Sequence, residues 1–168
     1  TQLLVSWAFM LRPEEAMKFK PHLADQGEYV LVDAGTKGGR PRPVTIRHDW
    51  QRNVLEFAKS YANQTTGSLI PDEYKYVSWR NHFYKICEEC GISRKHGIVP
   101  HGLRHEGAND LYKELTGADS PARGGTEIVD KWLDHLARMK VAQTLGHSRK
   151  QVTGAYLGPI IRAKIKED

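Results

Sequence analysis

Six side chains in this sequence have the types that phosphoryl chemistry calls for: Arg12, Lys37, His101, Arg104, His147 and Tyr156. In-line attack at a phosphodiester places extra negative charge on the non-bridging oxygens. Guanidinium groups answer that charge, because arginine stays protonated and grips oxygens bidentately. The reaction also needs a nucleophile and a proton donor for the leaving oxygen. A tyrosine, a lysine and histidines supply both without a metal. His101 and Arg104 stand three apart, so a helix there turns both the same way.

Each residue also has an ordinary explanation. Arg12 ends an apolar run and could bridge to Glu15 as a surface pair. Arg104 could meet a structural carboxylate such as Glu106 or Glu114. Lys37 lies in a glycine-rich turn, where a solvated lysine is common. His147 follows Gly146 at a helix stop and could cap or pack. Tyr156 could bury its ring and expose its hydroxyl. A tyrosine with a pKa of about 10 is a poor nucleophile near neutral pH unless positive charge or a base stands close. No residue decides the matter alone.

The elements that must position these groups follow from periodicity. Leu3, Leu4, Trp7, Ala8 and Leu11 recur at helical spacing, and Pro13 with Glu14 and Glu15 suits a fresh helix start. Residues 28–33 and 42–46 are short and β-rich, with Gly35, Gly38 and Gly39 between them, which reads as an antiparallel hairpin with a basic tip at Lys37, Arg40 and Arg42. Trp50, Val54, Phe57, Ala58 and Tyr61 mark one helical face, and Tyr76, Trp79, Phe83, Ile86, Cys87 and Cys90 another, stopped by Gly91. Leu103, Ala108, Leu111 and Leu115 mark the helix that begins after Pro100. Residues 116–126 read as a loop. Ile128, Val129, Trp132, Leu133 and Leu136 form a further helix face, and Met139 to Leu145 another short helix capped by Gly146. Trp79 and Trp132 are expected in the core. The fold class is mainly α with a small antiparallel β-sheet near the start.

Composition bounds the partners. The 168 residues suit one domain with a real core, and 39% hydrophobic with 27% charged residues predicts folding rather than disorder. A net charge of +5 favours a polyanion, while also fitting a plain basic enzyme. No apolar run approaches the ~20 residues of a membrane span. Cys87 and Cys90 fall within a helix pattern, which argues against a staple and for a reducing compartment. With His96 and His101 they have some zinc-ligand flavour, outweighed by their helical placement. The chain opens on Thr1, which reads as one domain of a longer protein.

The order of the blocks is more specific than any one of them. Leu11-Arg12-x-x-Glu15, then Thr36-Lys37-Gly38-Gly39, then His101-x-x-Arg104-His105, then Leu145-Gly146-His147 with Tyr156 nine residues on, resembles the catalytic domain of the tyrosine recombinases, or phage integrases. The resemblance spans about Leu3 to Tyr156 and implies the fold of DNA breaking-rejoining enzymes. It implies that Arg12 and Arg104 clamp the scissile phosphate and that His147 donates to it. His101 accepts a proton or positions the nucleophile. Lys37 protonates the departing 5′ oxygen, and Tyr156 attacks to form a 3′-phosphotyrosine link. Glu15 and His105 match supporting positions. No metal, cofactor or small-molecule substrate is implied. The implied partners are double-stranded DNA and other recombinase protomers in a synaptic complex, in the bacterial cytoplasm. Arg40, Arg42, Arg94 and Lys95 are candidate phosphate contacts.

Two departures stand out. Met10 replaces the glycine usual two residues before the first arginine, and the stretch from Arg104 to His147 exceeds the family's usual spacing. The excess around Gly117 to Leu136 resembles integrases of mobile genomic islands. It would touch DNA, touch a protomer, or merely elaborate the core. The amino-terminal domain that clamps the duplex in complete recombinases has no counterpart here, so weak, salt-dependent DNA binding is expected. The rival readings are a type IB topoisomerase and a catalytically silent DNA-binding or assembly module. The tail after Tyr156, with Ile160, Ile161 and Ile165, would pack either on its own domain or on a neighbouring protomer.

Overall fold

Pro13 opens a helix at its first position, where a missing N–H costs nothing, and this sets the tone of an architecture of short helices joined by capped turns. The structure is a computed structural model that describes residues 1–147 and 153–161, and the backbone alone of Lys37. It divides into two units, Thr1–Arg104 and His105–Asp168.

In the first unit, α1 (Gln2–Ala8) packs on α2 (Pro13–Lys18) and α4 (Asp49–Ser60). The short α3 (Pro21–Ala24) lies on α4 and β1. Strands β1 (Tyr29–Val32) and β2 (Arg42–Thr45) pair antiparallel, Tyr29 opposite Thr45 and Val32 opposite Arg42. Between them Lys37–Gly39 form a 3-10 turn, with Gly35, Gly38 and Gly39 all at positive φ. The buried side chains include Val5, Phe9, Leu11, Met17, Phe19, Val30, Val44 and Leu55. Helix α5 (Tyr76–Glu89) seats Phe83 and Cys87 against Met17, with Tyr76 and Trp79 partly buried beside them. It stops at Gly91 through paired bonds from Gly91 N to Glu88 O and from Ile92 N to Cys87 O, as the sequence predicts.

Helix α6 (Gly102–Thr116) carries the boundary between the units. In the second unit, residues 117–130 hold a 3-10 turn at Pro121–Arg123, α7 (Lys131–Thr144) follows, and α8 (Gly154–Leu157) is a single turn. Ala108, Leu111, Tyr112, Ala137, Val141, Leu145 and Leu157 are buried.

Two expected faces are corrected. In α4 the buried stripe is Gln51, Leu55 and Ala58, while Trp50, Phe57 and Tyr61 are exposed. Gln51 goes inward because its amide donates to the Ala8 carbonyl and accepts from the Arg47 amide, both at 2.7 Å, so burial leaves it satisfied. The two helices expected around 128–136 and 139–145 are one, α7, which starts later: Asp130 caps it by accepting from Trp132 N and Leu133 N at 3.0 Å, and it runs unbroken to Thr144. The buried face of α7 holds Asp134, Ala137, Arg138, Val141 and Ala142. Trp132 is 67% exposed and not core, as are Ile128, Leu133 and Leu136 in lesser degree. Trp132 instead stacks on His135 at 5.5 Å.

Candidate active site

In the first unit the cations gather on one acid. Glu15 is fully buried at the third position of α2. One of its oxygens accepts from Arg12 Nη1 at 2.7 Å and the other from the Arg12 amide at 2.7 Å. Arg42 grips both oxygens, Nη1 at 2.8 Å and Nη2 at 2.7 Å. Arg104 Nη1 stands 3.6 Å from the same carboxylate and donates to the Met10 carbonyl. Burial alone would push the Glu15 carboxyl up. The Arg42 hydrogen bonds and charge, the Arg12 amide and the Arg104 charge outweigh it and hold the carboxyl below its ordinary value. Three guanidinium groups around one carboxylate make a cation-rich wall, the setting that favours an anion.

This arrangement corrects one expectation. Arg42 is not an exposed hairpin-tip contact: it is 5% exposed and committed to Glu15. Its inward register in β2, opposite Val32, turns it from solvent. Arg104 faces Glu15, the carboxylate that Arg12 and Arg42 also hold. Glu106 pairs with Arg123. Arg40, Arg94 and Lys95 are exposed, the last two on a 3-10 turn at Arg94–His96.

A cleft of about 260 Å³ places Arg12 beside His101, with Arg80, Tyr76 and Tyr84 on its walls. Sequence reading missed Arg80. Its signal was an arginine four residues after Tyr76 and beside the partly buried Trp79, on the helix that the aromatic spacing marks. Met10 adopts φ +51, the one positive φ outside glycine among the described residues. That left-handed backbone aims the Met10 carbonyl at Arg104, at a place where glycine would be unstrained.

In the second unit, Leu-Gly-His ends α7 with a two-bond reversal. Gly146 N donates to Gln143 O at 2.9 Å and His147 N to Ala142 O at 2.8 Å, with Gly146 at φ +74. The sequence thereby fixes where His147 leaves the helix. Tyr156 is 8% exposed on α8. Its ring stacks on His105 at 4.3 Å and lies 6.3 Å from the His147 ring. His105 is thus in direct contact with Tyr156. Residues 148–152, within the stretch from Leu145 to Tyr156, lie outside the described residues, as do residues 162–168 of the tail and the Lys37 side chain. No group of three or more His, Cys, Asp or Glu side chains able to hold a metal ion occurs among the described residues. Cys87 is buried and Cys90 exposed, both as free thiols.

The family model described as Integrase matches residues 2–110. The chain belongs to the integrase family. The match takes in Arg12, Lys37, His101 and Arg104 and ends before His147 and Tyr156. Membership assigns the chain to DNA integration and recombination in general, with DNA as the partner. No curated protein matches the chain. No helix among the described residues is long and apolar enough to cross a membrane.

Proposed function

We propose that this integrase-family chain is the catalytic domain of a site-specific tyrosine recombinase, with the fold of DNA breaking-rejoining enzymes. The observation that carries the reading is the seat of Tyr156, a buried ring held against one imidazole at 4.3 Å and near a second at 6.3 Å. The gathering of Arg12 and Arg104 on Glu15 supports it from the first unit.

On this reading the Tyr156 oxygen attacks the phosphorus of a DNA strand and its proton passes to His101. The bond to the 5′ oxygen breaks, and Lys37 supplies that oxygen's proton. A 3′-phosphotyrosine and a free 5′ hydroxyl result. Arg12, Arg104 and His147 stabilise the charge on the non-bridging oxygens. Attack by a 5′ hydroxyl from another strand reverses the steps and completes exchange. The covalent link conserves the bond energy, so the cycle needs no metal or nucleotide. Arg40, Arg94 and Lys95 contact phosphates and fix register on the duplex without reading bases. Other protomers complete a synaptic complex, in the cytoplasm of a bacterium that carries a mobile element.

A suicide duplex tests this, nicked so that the released 5′ fragment diffuses away. The wild-type chain is expected to accumulate a covalent DNA adduct, and Tyr156→Phe to bind DNA without forming one. An adduct that persists in Tyr156→Phe would remove the proposed nucleophile. Absence of adduct in the wild type would favour a silent binding module. Relaxation of a plasmid without exchange between two sites would favour a topoisomerase.

A further inference from the structure

Helix α8 is one turn of four residues, too short to hold itself, because nucleation consumes what little a single turn gains. Its geometry must come from outside. Asn109 Nδ2 donates to the Tyr156 carbonyl at 3.1 Å. Arg138 donates through Nη1 to the Gly158 carbonyl at 3.0 Å and through Nη2 to the Pro159 carbonyl at 3.5 Å. The backbone is gripped at the tyrosine and just beyond it.

Each grip is itself braced. Asn109 Nδ2 also donates to the His105 carbonyl at 2.7 Å, and Asn109 Oδ1 accepts from the fully buried Ser120 hydroxyl. Arg138 Nε lies on Asp134 at 2.8 and 3.0 Å, and Asp134 also accepts from the Tyr112 hydroxyl at 2.7 Å. Asp134 and Arg138 are both buried. A buried ion pair adds little net stability compared with apolar packing, whereas a satisfied polar network fixes one geometry. Burial and the bond to Asp134 push the Tyr112 hydroxyl up to about 12, so it remains a donor at neutral pH.

The 3-10 turn at Pro121–Arg123 closes the seat. A Cβ on Gly158 would lie 2.9 Å from Ala122 N and 3.1 Å from Pro121 Cβ. The stretch between Gly117 and Leu136, longer than the family pattern, therefore has work inside its own unit.

We propose that Asp134 and Arg138, with Asn109 and Ser120, are positioning residues: a latch that sets the Tyr156 backbone for attack. The latch as a device for catalysis rests on Tyr156 being the nucleophile. The arginine fork matters, since only it reaches two carbonyls while bound to a carboxylate.

The test uses the full chain and measures two things: covalent trapping on the nicked duplex at saturating DNA, and hydrogen exchange of the Gly158 amide, which closes α8 onto Gly154 O at 3.0 Å. For Arg138→Gln, trapping is expected to slow at least about tenfold with DNA affinity within about twofold, a positioning loss rather than a binding loss. The Gly158 amide is expected to exchange at least about tenfold faster while α6 keeps its protection. Arg138→Lys should recover part of both. Ser120→Ala, which deletes one hydroxyl, should shift both the same way by less and guards against a misfolded glutamine variant. Unchanged Gly158 exchange in both Arg138→Gln and Ser120→Ala would overturn the latch. Faster exchange in the variants with no trapping by the wild type would instead sink the nucleophile and spare the latch.

Discussion

Each unit builds a buried network of arginine on carboxylate, and the two networks do opposite jobs. In the first unit Glu15 collects guanidinium groups from three places in the chain: Arg12 at the entry of α2, Arg42 in β2 and Arg104 in α6. In the second, Asp134 holds one arginine from its own helix, four residues on, and that arginine turns to backbone carbonyls near Tyr156. The first network places charges directly. On the proposed reading the second places the Tyr156 side chain indirectly, by fixing the peptide that carries it. Losing the acid should therefore damage folding most in the first unit, and losing Arg138 in the second should slow trapping while leaving DNA affinity nearly unchanged.

The sharpest way to break that contrast is Glu15→Gln. It strands positive charge in a buried site and should cost about 3–5 kcal/mol of unfolding free energy, measured by denaturant titration. It should also flatten the acid limb of stability. The Glu15 carboxyl is held below its ordinary 4.5 in the folded protein, so its contribution is complete above that value and is lost as pH falls through the lowered one. A Glu15→Gln variant with wild-type stability and an unchanged acid limb would dissolve the distinction between the units.

Gly158→Ala comes next. Gly158 has φ +76 and ψ −177, a region nearly reserved for glycine, and faces backbone of the 3-10 turn. The substitution should cost about 1–3 kcal/mol and slow trapping as well. Full trapping activity in this variant would mean that α8 tolerates movement.

Met10 sharpens the first unit. Shortening a buried methionine normally costs about 2–5 kcal/mol, and the left-handed backbone returns about 1–2 of that when glycine is installed. Met10→Gly should therefore be less destabilised than Met10→Ala, the reverse of the usual order. The smallest effect belongs to Trp132→Ala, expected within about 0.5 kcal/mol of wild type because the ring is mostly exposed.

The sequence made local features legible and hid those that depend on distant neighbours. The hairpin was readable from two β-rich runs around glycines, and the α7 stop from Leu-Gly-His, because both are set by adjacent residues. Arg42 looked like a tip cation since its partner lies 27 residues away. Trp132 looked like core because spacing defines a helix face but not whether anything covers it. Asp134 and Arg138 escaped notice because a pair four apart is the ordinary pattern of a solvated helix surface. The family was legible in the order of the blocks around Arg12, Lys37, His101 and Arg104, which the family match covers, while the contact of His105 with Tyr156 needed the geometry of α6 and α8 together.

The central claim is that the Tyr156 oxygen takes over a backbone linkage in DNA. Peptide mapping of the trapped adduct by mass spectrometry after proteolysis addresses that atom directly. The account predicts the nucleotide mass on the peptide bearing Tyr156, as a 3′-phosphate ester. An adduct on any other residue, or a 5′-phosphate linkage, would contradict it.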